Sequence, residues 1–352
     1  MDMEVTKSIY GYLGDTPVYS YTMKNMHGVE VTCIDYGCII TKMVTPDREG
    51  RLENIVLGYN QLEGYVQDTA NFGCVVGRVA GRIKEGTFSL DEKTYNLAKN
   101  ENSNHLHGGE KGFGKVLWNS SYEEDINQAK VHFAYFSRDG EEGYPGNLAM
   151  RVTYTLTNDN EFMIHYSGKA DAKTVLNVTN HSYFNLSGDL KRDILDHSLT
   201  MKSDQFLELD EELLPTGTFI DVEGTAFDFR EGQPIKNGLV SAHPQNQLVG
   251  GGYDHPFLLK NNHCDEIILA DPESGRTLTV ETDEVGVVVY TANQLEEKGE
   301  ILGVPARKHL GICLETQGLP DAINQPEFPS WVLEKNKPFS SVTKYYFGQL
   351  DE

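Results

Sequence analysis

The most constraining feature of this chain is a strict two-residue rhythm between positions 148 and 166. Leu148, Met150, Val152, Tyr154 and Leu156 alternate with Ala149, Arg151, Thr153 and Thr155, and after Asn158-Asp159-Asn160 the rhythm resumes with Phe162, Ile164 and Tyr166. Successive side chains of a strand point to opposite faces, so this pattern asks for a hairpin with one row in a core and the other on a wetter face.

Similar signals recur along the chain. Positions 30–43 are rich in β-branched and apolar residues. Positions 87–90 and 94–97 flank the polar turn Asp91-Glu92-Lys93 and read as a hairpin, as do 266–270 and 277–281 around Asp271-Pro272-Glu273-Ser274-Gly275. Further strands are expected at 286–291, 311–317 and 341–347. Helical periodicity is nearly absent, with short helical turns expected only at 61–66 and after Pro320. Glycine occurs 34 times and turn signals are frequent. Many short strands with regular turns predict an all-β fold, a large antiparallel β-sandwich. No low-complexity linker, charge block or repeat interrupts it, so residues 1–352 are expected to form one domain.

Acidic residues outnumber basic ones, 53 to 30, for a formal charge of −23. Such a chain is poorly suited to a nucleic-acid backbone or an anionic membrane surface. Cys33, Cys38, Cys74, Cys264 and Cys313 are odd in number and form no C-x-x-C pair, so neither a disulfide frame nor a zinc site is expected. The acidic start Met1-Asp2-Met3-Glu4-Val5 has no apolar signal core, and no run approaches the ~20 apolar residues of a membrane helix. These features predict a soluble cytoplasmic protein with reduced thiols.

Four places break the strand pattern with residues suited to chemistry. In Gly77-Arg78-Val79-Ala80-Gly81-Arg82 two arginines stand four apart between glycines. A guanidinium fork suits vicinal hydroxyls or a carboxylate, while the plainer reading is a turn with two solvated arginines. The segment lacks the spacing of a dinucleotide fingerprint. In Asn104-His105-Leu106-His107-Gly108-Gly109 the two histidines would share one face of a strand. No third metal ligand at suitable spacing is evident, so a polar sugar contact is the preferred reading and surface imidazoles beside a glycine turn the plainer one.

Asn177-Val178-Thr179-Asn180-His181-Ser182-Tyr183-Phe184-Asn185-Leu186 sets amides, an imidazole and two aromatics between strand-like flanks. Each buried polar group must find a partner or cost about 1–3 kcal/mol. A sugar-binding groove needs that mixture; a buried histidine fixed by Asn180 and Asn185 is the alternative. In Ile312-Cys313-Leu314-Glu315-Thr316-Gln317 a glutamate sits inside an apolar strand, where burial raises its pKa towards that of a general base. A structural ion pair is the competing reading. Asp254, after the Gly250-Gly251-Gly252 turn, is either a hydroxyl acceptor or a turn cap.

At these residues the chain resembles the aldose 1-epimerase, or galactose mutarotase, family. The resemblance rests on Gly77-Arg78-Val79-Ala80-Gly81-Arg82-Ile83, on Leu106-His107-Gly108-Gly109 followed by Gly112-Phe113 and Trp118, on Asn180 to Leu186, on Tyr253-Asp254-His255, and on Leu314-Glu315-Thr316-Gln317 with Pro320-Asp321-Ala322, in the family's order. It implies a supersandwich with the sugar in an open groove. It also implies an isomerase that interconverts the α and β anomers of free aldohexoses such as galactose and glucose. His181 would be the general acid and Glu315 the general base, with Arg82, His107 and Asp254 around the sugar. No cofactor and no metal are implied, and the expected state is a monomer or homodimer. Many members carry Asn where this chain has Gly81, and some carry Gln where it has Val288, so the sugar preference is open.

The rivals are a sandwich-fold glycoside hydrolase using Asp254 and Glu315, a lectin-like module, and a hexose 6-phosphate epimerase, for which no further arginine cluster is present. With His181 protonated and Glu315 ionised, the rate should be bell-shaped in pH. Both forms coexist best between the reference values of about 4.3 and 6.5, and a neighbouring carboxylate would extend that window upward.

Overall fold

In the computed structural model the chain is described at residues 3–260 and 264–350. Met1 and Asp2, part of the acidic start, lie outside the described residues. Among these residues no helix is long and apolar enough to cross a membrane.

The two-residue rhythm does what it demands. The strands Leu148–Thr157 and Glu161–Ala170 pair antiparallel, with Val152 opposite Tyr166 and Tyr154 opposite Ile164. Leu148, Met150, Val152, Tyr154, Leu156, Phe162, Ile164 and Tyr166 are all buried. Burying each such side chain contributes about 1.5–3 kcal/mol, and slipping the register by one residue would expose the whole row. The hairpin lies in a nine-stranded antiparallel sheet that continues through Pro338–Gln349, Arg276–Thr282 and Ile267–Ala270.

A six-stranded sheet faces it, in the order Tyr183–Phe184, Ile312–Gln317, Gly286–Tyr290, Asp254–Leu258, Gln205–Leu209 and Pro215–Asp221. One apolar core joins the two, with Ile164 and Tyr345 from the first and Phe184, Phe257, Ile312 and Leu314 from the second. The contact includes a Phe184–Tyr345 ring pair and a 2.7 Å hydrogen bond between the Thr316 and Thr343 hydroxyls. Ile312, Leu314 and Thr316 therefore point at the sandwich interior. By the same period, Cys313, Glu315 and Gln317 point the other way. A five-stranded sheet formed by residues 4–54 packs Val31, Ile40 and Met43 onto the same core.

One expectation needs correction, and one stretch of strand signal divides in two. The 30–43 stretch is not continuous, since Glu30–Ile34 and Ile40–Pro46 are separated by a tight turn with Gly37 at φ +63°. A Cβ at Gly37 would stand 2.1 Å from the Gly114 carbonyl oxygen, so only glycine fits there. After Pro320 the chain makes turns rather than a helix, with Asp321 at φ +55° and its carboxylate accepting the Lys84 N–H and the Asn324 amide. Leu62–Gln67 is helical close to where helix was expected, whereas the short helices Lys236–Val240 and Pro244–Leu248 had no sequence signal strong enough to read.

Candidate active site

A groove of about 540 Å³ opens over the outer face of the six-stranded sheet. Arg82, His107, His181, Asp254 and Glu315 all line it. These residues come from five segments spread over more than two hundred positions. The groove is largely polar at its base and is flanked by Tyr59, Tyr183 and Tyr290, a composition suited to a polyhydroxylated ligand with apolar ring faces.

His181 is held by backbone and side chain together. The Thr179–Asn180 strand pairs with Val75–Val76; the His181 N–H donates to the Cys74 carbonyl and its own carbonyl accepts the Gly73 N–H. The ring stacks on Tyr183 at 5.1 Å and meets the edge of His107 at 5.2 Å. Its Nε2 lies 3.5 Å from Glu315 Oε1, and its Nδ1 lies 3.5 Å from Cys313 Sγ. Burial pulls the imidazole pKa down to about 4, with only its own backbone carbonyl opposing. Burial pushes the Glu315 carboxyl up, helped by the nearby Asp254 charge and opposed by Arg82.

The rise at Glu315 is the one expected of a carboxylate in an apolar strand, whereas the fall at His181 departs from the reference value. Burial thus pulls the two groups in opposite senses, the imidazole towards its neutral form and the carboxyl towards its protonated form. The neutral pair and the imidazolium–carboxylate pair carry the same number of protons and differ only in which side of a 3.5 Å gap holds the last one.

Asn180 and Asn185 do not fix His181. Each amide donates to backbone carbonyls, Asn180 to Gly73 and Asn185 to Arg192 and Leu310. Each side-chain oxygen accepts both the N–H and the hydroxyl of the serine two residues on, Ser182 or Ser187. The polar density that marks this stretch is thus mostly architectural.

The arginines also part company. Arg82 gives a two-pronged ion pair to Glu101, Nε to Oε2 at 2.7 Å and Nη2 to Oε1 at 2.6 Å, leaving Nη1 without a hydrogen-bond partner among the described residues. Arg78 is not solvated at all. It is buried and donates to the Ser137 hydroxyl, to the carbonyls of Ser137, Arg138 and Pro145, and to Thr174 Oγ1.

The histidines do not share a face, because the strand ends at His105–Leu106 and His107 takes φ +51°. His105 points inward, bonded to the Ala98 carbonyl and the Tyr144 hydroxyl. His107 points into the groove and its Nδ1 accepts the Gly81 N–H at 3.2 Å. Asp254 borders the groove with its carboxyl raised to about 6, by burial first, against the pull of Arg82 and with the push of Glu101.

By residue type, His107, His181 and Glu315 could converge on a cation, with ligand atoms within 4.8 Å of one another. The Gly81 amide argues otherwise. It occupies the Nδ1 lone pair of His107, so the neutral ring carries its proton on the other nitrogen and presents a donor, as a sugar oxygen requires and a metal does not.

Glu101, which orients Arg82, and Cys313, which touches His181, went unnoticed in sequence. Glu101 has no local signal, since its partner lies 19 residues away. Cys313 carries one: two residues before Glu315 on a strand, it must share that residue's face.

The chain is similar to known proteins over nearly its whole length. The family described as aldose 1-epimerase matches residues 19–346. Galactose mutarotase of Bos taurus is 43% identical over 98% of this chain and 99% of its own length. The human galactose mutarotase is 42% identical, over 98% of each chain. Among solved structures, galactose 1-epimerase from Lactobacillus acidophilus superposes with a TM-score of 0.89 at 29% identity, covering 99% of this chain and 100% of that one.

Proposed function

Because the chain belongs to the aldose 1-epimerase family and interconverts sugar anomers, we propose that it does so with His181 as general acid and Glu315 as general base on free aldohexoses such as galactose and glucose. The observation that carries the assignment is the 3.5 Å approach of His181 Nε2 to Glu315 Oε1 on the floor of one groove. A proton donor and an acceptor that close together can reach the ring oxygen and the anomeric hydroxyl of the same sugar.

The productive form is the imidazolium–carboxylate pair. Glu315 takes the proton of the C1 hydroxyl, and that O–H pair of electrons becomes the second C1–O bond. The C1–ring-oxygen bond breaks with its electrons going to the ring oxygen, which takes the Nε2 proton of His181. The aldehyde rotates about C1–C2 and closes from its other face, with each proton returning along the reverse path. Around the sugar, Arg82 Nη1 and the His107 Nε2–H supply donors and Asp254 an acceptor. Residues 1–352 act as one unit, and the buried thiols of Cys33, Cys38, Cys74 and Cys313 suit a reducing compartment such as the cytosol.

Polarimetry of freshly dissolved α-galactose and α-glucose tests the reading. The protein should speed the drift of optical rotation, and His181→Asn and Glu315→Gln should each lower kcat by about 10²–10⁴-fold with the fold intact. Full activity in either variant would remove that residue from its role.

The crossed pKa values set the pH dependence. The one-proton pair gains a second proton as pH falls through about 4, the value of His181, and loses its only proton at the raised value of Glu315. The profile should be bell-shaped, with its acid limb near 4 and its alkaline limb at the raised value of Glu315.

A further inference from the structure

One strand brings two chemical groups to one imidazole. Cys313 and Glu315 stand two apart on the buried Ile312–Gln317 strand and so face the same side. Between them lies the ring of His181, with Glu315 Oε1 at 3.5 Å from Nε2 and Cys313 Sγ at 3.5 Å from Nδ1. The other titratable groups facing the ring are Tyr183, stacked on it, and His107, at its edge; Arg82 and Asp254 line the same groove. Cys313 is fully buried and is not among the residues that line the groove.

We propose that Cys313 is a positioning residue for the reaction: its sulfur accepts the Nδ1–H of His181, fixing the ring so that Nε2 is the nitrogen that trades a proton with Glu315 and the sugar. The inference rests on His181 acting as the acid. Burial keeps the thiol protonated, so the sulfur offers a lone pair and not a thiolate charge. The assignment works in both forms of the pair. When Glu315 holds the shared proton, it donates to Nε2 while Nδ1–H donates to Sγ. When the proton crosses to Nε2, Nδ1–H still donates to Sγ, now from a cation, and such bonds are stronger than neutral ones. The contact therefore favours the productive form and hinders a ring flip that would turn the wrong nitrogen to the groove.

The test compares Cys313→Ala with Cys313→Ser in the full chain, beside His181→Asn. The hydroxyl can accept the same proton; the methyl cannot. Cys313→Ala should lower kcat about tenfold, the net size of one ordinary hydrogen bond, with KM within about twofold. Its acid limb should move to lower pH, because the imidazolium loses a partner. Cys313→Ser should hold kcat within about threefold and keep the profile. Nitrogen NMR of isotope-labelled histidine should show the Nδ1–H tautomer of His181 in the parent and the serine variant, and a tautomer mixture in the alanine variant.

A purely packing role would leave the pH profile unmoved in both variants and lower only thermal stability, which overturns the proposal. So does an alanine variant with parental kcat, or a serine variant as slow as the alanine one. If His181→Asn itself retains activity, the acid assignment fails, and this inference with it. If His181→Asn is inactive while Cys313→Ala behaves as the parent, only the positioning role fails.

Discussion

Arg82 and His107 face the groove; Arg78 and His105, their neighbours of the same residue type, face the interior. Within each pair the chemistry is identical and the surroundings opposite. Arg78 is closed off by hydrogen bonds to carbonyls and hydroxyls, and His105 by one carbonyl and one phenol. Arg82 and His107 are each anchored on one side only, by Glu101 and by the Gly81 amide, and keep donors turned outward. Saturated polar groups build the wall; half-saturated ones, held from behind, are what a ligand can use. The sorting is done by backbone, with φ +77° at Gly81 and +51° at His107 turning the chain just before each groove residue or at it.

The arginines should break or support this comparison with the largest effects. Removing the Arg78 guanidinium strands several buried carbonyls, and Arg78→Ala should cost about 3–5 kcal/mol of unfolding free energy in a denaturant titration, while the folded fraction retains its specific activity. Arg82→Ala should do the reverse, lowering kcat/KM about 10²-fold (roughly 2.7 kcal/mol) with stability changed by less than about 1 kcal/mol. If Arg78→Ala proves stable and inactive, the division between wall and ligand groups is wrong.

The histidines repeat the contrast on a smaller scale. His107→Ala should raise KM about tenfold by deleting one outward donor and leave the melting temperature nearly unchanged. His105→Ala should leave the Ala98 carbonyl and the Tyr144 hydroxyl unpaired at a cost of about 1–3 kcal/mol, with KM unaltered. Equal kinetic penalties for the two would show that both reach the sugar.

The same contrast explains what could be read from the residues alone. Alternation from Leu148 to Tyr166 is a local consequence of pleating, so that hairpin and its buried row were legible. Glu315 was legible because a carboxylate between Leu314 and Thr316 contradicts an apolar strand. Which arginine or histidine serves the groove was not, because that depends on turns whose φ values no spacing rule encodes. The fall of the His181 pKa was hidden for a related reason. Reference values describe solvated groups, and burial of His181 and Glu315 follows from packing among segments far apart in sequence. Asn180 and Asn185 misled in the opposite sense: their partners are backbone carbonyls and serines, which composition cannot distinguish from a ligand.

The finest difference concerns charge rather than contact. Groove-facing groups should be coupled electrically, and Asp254 offers the cleanest separation. Burial raises its carboxyl to about 6, so it is largely neutral near pH 4, where His181 gains its second proton. Its negative charge, once ionised, is one cause of the raised Glu315 pKa. Asp254→Asn should therefore leave the acid limb of the kcat/KM profile in place and move the alkaline limb to lower pH. Arg82 pulls Glu315 the other way, so Arg82→Ala should move the same limb to higher pH. Inward-facing Arg78, changed to Lys with its charge kept, should move neither. A pH series on the three variants reads all three signs, and a limb that moves upward in Asp254→Asn, or moves at all in Arg78→Lys, would erase the distinction between the two faces.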